Sequence, residues 1–212
     1  MIALLRERLK QTRGGRWSAF LAISLMAGFG LIALVLRAVD GPSASLGKLM
    51  IAATKVIACV AAAPIALAAS NDRARADRDD GIEALAESHG IDRHVLRAVR
   101  VAAAMYQTAL SIGLPILVLS MLSLMLSGTI ALAARNLGLM LGLTLFSALA
   151  GFTIGAIADL CGRIGMARGR LLFSLVIVLP WIFSDLAEKP WSIPGALHAA
   201  LNWIVRTSGF GA

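Results

Sequence analysis

Residues 101–126 read VAAAMYQTALSIGLPILVLSMLSLML, a run that contains no charged side chain. About 20 apolar residues of helix are enough to cross the hydrocarbon core of a bilayer. The run therefore predicts a transmembrane helix, which Pro115 can kink. Four further apolar runs flank it and are also read as spans, the last being short for a crossing: 17–36, 49–69, 137–158 and 171–184 with Pro180.

The composition of the whole chain agrees with this interpretation. Hydrophobic residues make up 58% of the 212 residues and charged residues only 15%, against about 25% in soluble domains. We therefore expect an all-α, polytopic membrane helix bundle of five to six spans. The run 17–36 is too long for the apolar core of a signal peptide, so it is expected to remain as a span.

The two ends of the chain differ from the spans. Residues 1–16 combine four apolar side chains with several basic ones. This amphipathic pattern predicts a helix in the membrane interface, which Gly14-Gly15 would end. Residues 17–212 are then a single transmembrane domain. Its last segment, 185–212, is too short and polar to cross easily, because one helix face would carry His198, Asn202 and Arg206. We expect that segment to be periplasmic, either re-entrant or interfacial, with Trp191 and Trp203 at headgroup level.

Basic residues predict the orientation. Segments 1–16, 71–100 and the expected basic loop 159–170 hold fourteen Lys or Arg, whereas the intervening loops, including a linking segment at Arg135-Asn136, hold four. Because cytoplasmic loops are enriched in Lys and Arg, the N-terminus is predicted to be cytoplasmic in a multi-pass protein of the bacterial inner membrane. The net charge of +8 is attributed to these loops, and no nucleic-acid partner is expected.

A dense charged segment, DRARADRDDGIEALAESHGIDR, occupies residues 72–93 and holds seven acids and four arginines. Asp80 and Glu83 have the spacing of a capping box, Gly90 can end the short helix that follows, and Asp92 can cap the next helix. This pattern predicts a small helical hairpin that projects from the bilayer. The plain alternative is a solvated loop that only fixes the topology.

The run Asp79-Asp80-Gly81-Ile82-Glu83-Ala84-Leu85 resembles a stretch found in the membrane subunits of type 2 ABC exporters. Those subunits commonly carry acidic-Asp-Gly-(Thr/Ser)-Leu-Glu-x-Leu between their second and third spans. Residues 168–172, RGRLL, leading into Val178-Leu179-Pro180, are similar to an Arg/Lys-Gly-Gly … Leu-Pro region of the cytochrome c maturation permease branch. The resemblance covers about residues 1–185.

The resemblance implies that the charged segment 71–100 contains a cytoplasmic coupling helix that docks on a separate ABC ATPase subunit. It implies ATP and Mg²⁺ on that partner, no cofactor on this chain, and a second permease copy or related membrane subunit. The contact residues carried over are Asp80, Gly81, Ile82, Glu83 and Leu85. Two features depart from the family: residues 86–89 are more polar than usual, and the sixth span is expected to be missing.

Other residues leave alternatives open. Lys55 lies deep in the second span, where an ionisable group is either functional or snorkels to the interface. Two Gly-x-x-x-Gly pairs in the fourth span, Gly138/Gly142 and Gly151/Gly155, permit close packing either within the subunit or in a dimer. The chain offers no metal site, since its three histidines are spread along it, and Cys59 and Cys161 are read as unpaired thiols.

Three functions follow in order of preference. The first is the transmembrane subunit of an ATP-binding cassette exporter, which couples ATP hydrolysis by the partner to substrate movement. The second is a non-transporting membrane scaffold that anchors an ATPase-containing complex. The third is a membrane enzyme, which is disfavoured because no nucleophile–base pair or metal cluster stands out in the sequence; the chain is not expected to be an enzyme.

Overall fold

The computed structural model describes residues 13–40, 45–71, 81, 84, 88–164, 166–182 and 192–208. These residues form six long helices and no strand. The helices are α1 (Arg13–Asp40), α2 (Ser45–Thr54, Lys55–Val60 and Ala62–Asn71), α3 (Arg93–Leu126), α4 (Ile130–Gly162), α5 (Met166–Phe173, Ser174–Val178 and Leu179–Ile182) and α6 (Ile193–Thr207).

The four helices α1 to α4 are each long and apolar enough to cross a membrane. Their apolar windows are Ala19–Val39, Leu46–Ser70, His94–Leu126 and Asn136–Gly162. The predicted all-helical architecture is therefore confirmed, and four spans are supported among the described residues. Helix α5 is shorter, about 25 Å at 1.5 Å per residue.

Successive helices among α1 to α4 run in opposite directions. The turn Ser127–Thr129 folds α4 back on α3, with Gly128 at a φ of 72°. Early residues of α2, such as Met50, share a groove with Leu119 near the end of α3 and with Phe29 in the second half of α1. We call the end of the bundle that holds this turn the hairpin end, and the opposite end, at the junction of residues 71–93, the charged end.

Helix α2 is the central helix of the bundle. Of its apolar window 61% is buried, against 11% for that of α1. Its core residues belong to one hydrophobic cluster with core residues of α3, α4, α5 and α6. Among the described residues, the largest fully buried side chains are Leu46, Ile57, Ile65, Ile112, Ile116, Leu139, Met140, Leu143, Ile154, Phe173, Ile177 and Leu201. Because lipid is as apolar as these side chains, close packing rather than escape from water holds such helices together.

Glycines set the distance between α3 and α4. A Cβ added at Gly151 would lie 2.6 Å from the Cα of Ala109, and one added at Gly155 would lie 2.9 Å from the carbonyl oxygen of Ala104. The pair Gly151/Gly155 therefore serves packing within the subunit. Gly142 faces Ile204 of α6, whereas Gly138 has open space around it.

Two helices contain a widened, π-helical turn before a proline. In α2 the segment Lys55–Val60 precedes Pro64, and the N–H of Ala61 donates to the carbonyl of Val56 five residues back. In α5 the segment Ser174–Val178 precedes Pro180. A proline ring crowds the carbonyl four residues before it, and a widened turn relieves that crowding.

Pro115 lies within the continuous α-helix of α3 and has no such π-helical turn.

Several predicted boundaries are wrong. Gly14 and Gly15 do not end a helix, since both lie inside α1; residues 1–12 are outside the described part of the chain. The linking segment at Arg135-Asn136 is helical from Ile130 onward. A weak helix former lowers helix stability only slightly, by about 1 kcal/mol for glycine. An unsatisfied backbone group in an apolar medium costs several kcal/mol, so the helix continues through these residues.

The expected basic loop 159–170 is also mostly helical. Helix α4 continues to Gly162, Arg163 and Ile164 form a turn, and α5 begins at Met166, earlier than predicted.

Near the C-terminal end of the described residues, Ser192 caps α6 by accepting a hydrogen bond from the N–H of Gly195 at 3.0 Å. Helix α6 packs against α4 and lies beside both π-helical segments.

Candidate functional site

The charged segment joins the two inner helices α2 and α3 at the charged end. Gly81 and Gly90 both adopt left-handed backbone, with φ of 64° and 69°, a conformation that only glycine adopts at little cost. Ala84 and Ser88 between them are helical and exposed. Helical Ala84 and Ser88, with left-handed Gly90 after them, agree with a short helix ended by Gly90. The predicted capping box is not supported, because it would make Gly81 the first helical residue, whereas the φ of Gly81 is 64°.

Most of the proposed contact residues lie outside the described residues. This applies to Asp80, Ile82, Glu83 and Leu85, whereas Gly81 is described and exposed. The helical conformation of Ala84 and Ser88 is therefore the local evidence that the structure adds here.

The predicted cap of α3 is confirmed. The carboxylate of Asp92 accepts a hydrogen bond from the N–H of His94 at 3.1 Å. Because the first N–H groups of a helix have no partner within it, such a cap fixes where the helix begins. Residues 89–92 thus separate helical Ser88 from the start of α3 at Arg93, which Asp92 caps.

The rest of the charged end is basic. Arg97 on α3 and Arg168 on α5 are exposed, and Arg163 forms an ion pair with Asp159 at 3.3 Å. Cytoplasmic ends of membrane helices commonly carry such residues. An acidic surface of a partner, or the anionic lipids of one leaflet, would complement this end.

Gly169 in the RGRLL stretch has a packing role. It is buried, and a side chain there would overlap the carbonyl group of Cys161 across the α4–α5 turn. The glycine that contributed to the family resemblance is thus required by the close approach of two helices.

Lys55 occupies an unusual place on α2. It begins the π-helical segment inside the apolar window Leu46–Ser70, and its side chain is exposed at the bundle surface. Within the described part of the chain, no residue forms an ion pair or hydrogen bond with its ammonium group.

The histidines and cysteines do not form a common site in the described residues. His89 is exposed with its Nδ1 3.2 Å from the hydroxyl of Ser88, His94 is exposed on α3, and His198 is half-buried on α6. No group of three His, Cys, Asp or Glu residues in the described ranges could hold a metal ion. Cys59 and Cys161 are both free and buried, as predicted.

Sequence reasoning missed two buried polar groups near the hairpin end. The hydroxyl of Ser123 and the side-chain oxygen of Asn136 are buried and have no hydrogen-bond partner among the residues that the structure describes. The sequence places Asn136 in a linking segment, whereas the structure places it on α4 with its side chain buried. A polar residue beside a long apolar run was the available signal, but only the continuation of α4 shows that it is buried.

Comparisons with protein-family models, with curated proteins and with solved structures each find no match. The residues of this chain and the resemblance of its short motifs are therefore the basis for a proposed function.

Proposed function

We propose that this chain is the transmembrane subunit of an ATP-binding cassette exporter in a bacterial inner membrane. The main support for this proposal is the position of the charged segment in the fold. It connects two core helices, its described residues Ala84 and Ser88 are helical, and left-handed Gly81 and Gly90 lie on either side of them. A separate ATPase subunit that binds this segment would transmit its own movement to the capped N-terminus of α3.

The length of α3 supports this role. Its 34 residues extend about 50 Å, whereas the hydrocarbon core of a bilayer is about 30 Å thick. With the N-terminus cytoplasmic, the first turns of α3, which carry Arg97 and Arg100, extend beyond the hydrocarbon on the cytoplasmic side. The segment that contains Glu83 then lies in water, within reach of a soluble ATPase.

The proposed mechanism is rigid-body alternating access. Two copies of the chain, or one copy with a related membrane subunit, enclose the substrate path. Closure of the partner ATPases displaces the segment around residues 80–90. Because glycines hold α3 and α4 in close contact, the displacement tilts both helices together. ATP and Mg²⁺ belong to the partner, and this chain contributes no covalent chemistry.

One observation favours the scaffold alternative. Helix α6 has 15 residues, about 22 Å, and buries Leu201 in the core beside both π-helical segments. It is shorter than a typical crossing helix, and a packed helix in place of a sixth span would favour an anchor over a transporter. Stimulation of ATP hydrolysis by candidate substrates in vesicles would distinguish a transporter from an anchor.

The docking is tested by charge reversal in the segment. A tagged chain is purified from its native host, and co-purified proteins are labelled with a photoreactive ATP analogue. We expect an ATP-binding subunit with the unmodified chain, and its loss with Glu83→Arg. Glu87→Arg is the matched control, because Glu87 lies in the same segment but outside the motif. Equal recovery with Glu83→Arg would contradict the proposal.

A further inference from the structure

The exposed face of the first half of α2 carries two lysines close together. Lys48, Ala52 and Lys55 are all exposed and are spaced four and three residues apart, so they share one face of the helix. The small side chain of Ala52 leaves room between the two ammonium groups. We call Lys48, Ala52 and Lys55 the lysine strip.

The strip reaches from the membrane surface into the apolar region. Lys48 is near the start of the apolar window at Leu46, and Lys55 lies seven residues further, about 10 Å along the axis. Side chains of a helix tilt toward its N-terminus, which for α2 is the hairpin end. The flexible stem of Lys55 therefore directs its ammonium toward Lys48 and the nearer headgroup layer.

The described apolar windows of a second copy of the chain offer little counter-charge at this depth. The four apolar windows together contain one acidic residue, Asp159, which is paired with Arg163 near the charged end. A charge left unpaired in the apolar region is expensive, so an anion near the two ammonium groups would stabilise them. A lipid phosphate has the charge and is found at the correct depth.

The surface below the strip suits the rest of a lipid. Val56 and Val60 are exposed on α2, and Val60 is 59% exposed. Pro64 continues this apolar surface toward the charged end. We propose that Lys48 and Lys55 bind the phosphate of one anionic phospholipid in the leaflet at the hairpin end, with an acyl chain along Val56 and Val60.

The test measures which lipid stays bound to the purified chain. The protein is equilibrated in detergent with equal amounts of dioleoyl phosphatidylglycerol and dioleoyl phosphatidylcholine, and retained lipid is quantified by mass spectrometry. We expect phosphatidylglycerol to be enriched. Lys55→Leu and Lys48→Leu should each lower its retention about five-fold, which corresponds to about 1 kcal/mol per lysine.

Two controls make the result specific. Arg37→Leu removes a cation at the same end of the bundle but outside the strip, and retention should not change. Lys55→Arg keeps the charge and should keep the lipid. If Lys55→Leu does not purify as a single species, Lys55→Gln takes its place, and its retention of phosphatidylcholine reports an intact apolar surface.

Equal retention of the two lipids would overturn the proposal, because a lysine that merely snorkels does not select a headgroup. Unchanged retention in Lys55→Leu, or displacement of the lipid by inorganic phosphate, would overturn it as well. The assay contains no ATPase, so its outcome is independent of the proposed docking.

Discussion

Replacing Gly151 by alanine tests the contact on which the α3–α4 hairpin depends. The new Cβ would lie 2.6 Å from the Cα of Ala109 and 3.0 Å from the carbonyl oxygen of Thr108, whereas ordinary contacts begin at 3.4 Å. The helices must separate by about 0.8 Å to restore an ordinary distance, because the opposing atoms belong to the backbone.

The expected loss of stability follows from two opposing effects. Overpacking of a filled core costs about 1–3 kcal/mol, while alanine in place of a helical glycine gains about 0.5–1 kcal/mol. Taking the middle of each range leaves a net loss of about 1 kcal/mol, which lowers Tm by roughly 2–4 °C for a chain of this length. The same substitution at Gly138, which has open space around it, retains only the gain in helix propensity.

Thermal unfolding can be followed with a thiol-reactive dye, because Cys59 and Cys161 are both buried in the folded chain. We expect Tm to fall in Gly151→Ala and to stay level or rise in Gly138→Ala. Gly113→Ala is an intermediate control, since its Cβ would be in ordinary contact with Ala148 at 3.5 Å. A Tm for Gly151→Ala at or above that of the unmodified chain would refute the packing argument.

Two further predictions concern the buried polar group and the orientation. Asn136→Leu should raise Tm in the same assay, because it removes a buried oxygen without a hydrogen-bond partner, a defect of about 1–3 kcal/mol; a fall in Tm would show that Asn136 has a partner in the membrane. Ser88→Cys should react with a membrane-impermeant maleimide from the cytoplasmic side, where the buried native cysteines give little background. Labelling from the opposite side would contradict both the orientation and the docking proposal.

The sequence was sufficient for features that depend on local chemistry or on apolar length. The apolar runs predicted α1 to α4, and the types of residue at Gly90 and Asp92 predicted a helix end and a cap that the structure contains. Each of these features depends on residues that are close together in the sequence, so it can be predicted without knowing how the helices pack.

Other features depend on neighbours that are distant in the chain. Gly151 and Gly155 have the same spacing as Gly138 and Gly142, yet three of these four glycines contact another helix and Gly138 does not. The π-helical turns also escape sequence reasoning, since Pro115 lies in an ordinary α-helix whereas Pro64 and Pro180 follow widened turns. The surrounding packing decides which of these outcomes occurs.

The weak attachment of α1 has a consequence for handling the protein. Its large side chains Trp17, Phe20 and Leu31 are more than 60% exposed. Its fully buried residues, such as Ala22 and Ala33, are small, and Leu25, Met26 and Phe29 are only partly buried against the core. Hydrocarbon tails are thus the principal neighbours of this helix. Replacing those tails with a short-chain detergent would release α1 before the other helices separate, and mild, lipid-supplemented extraction would keep it in place.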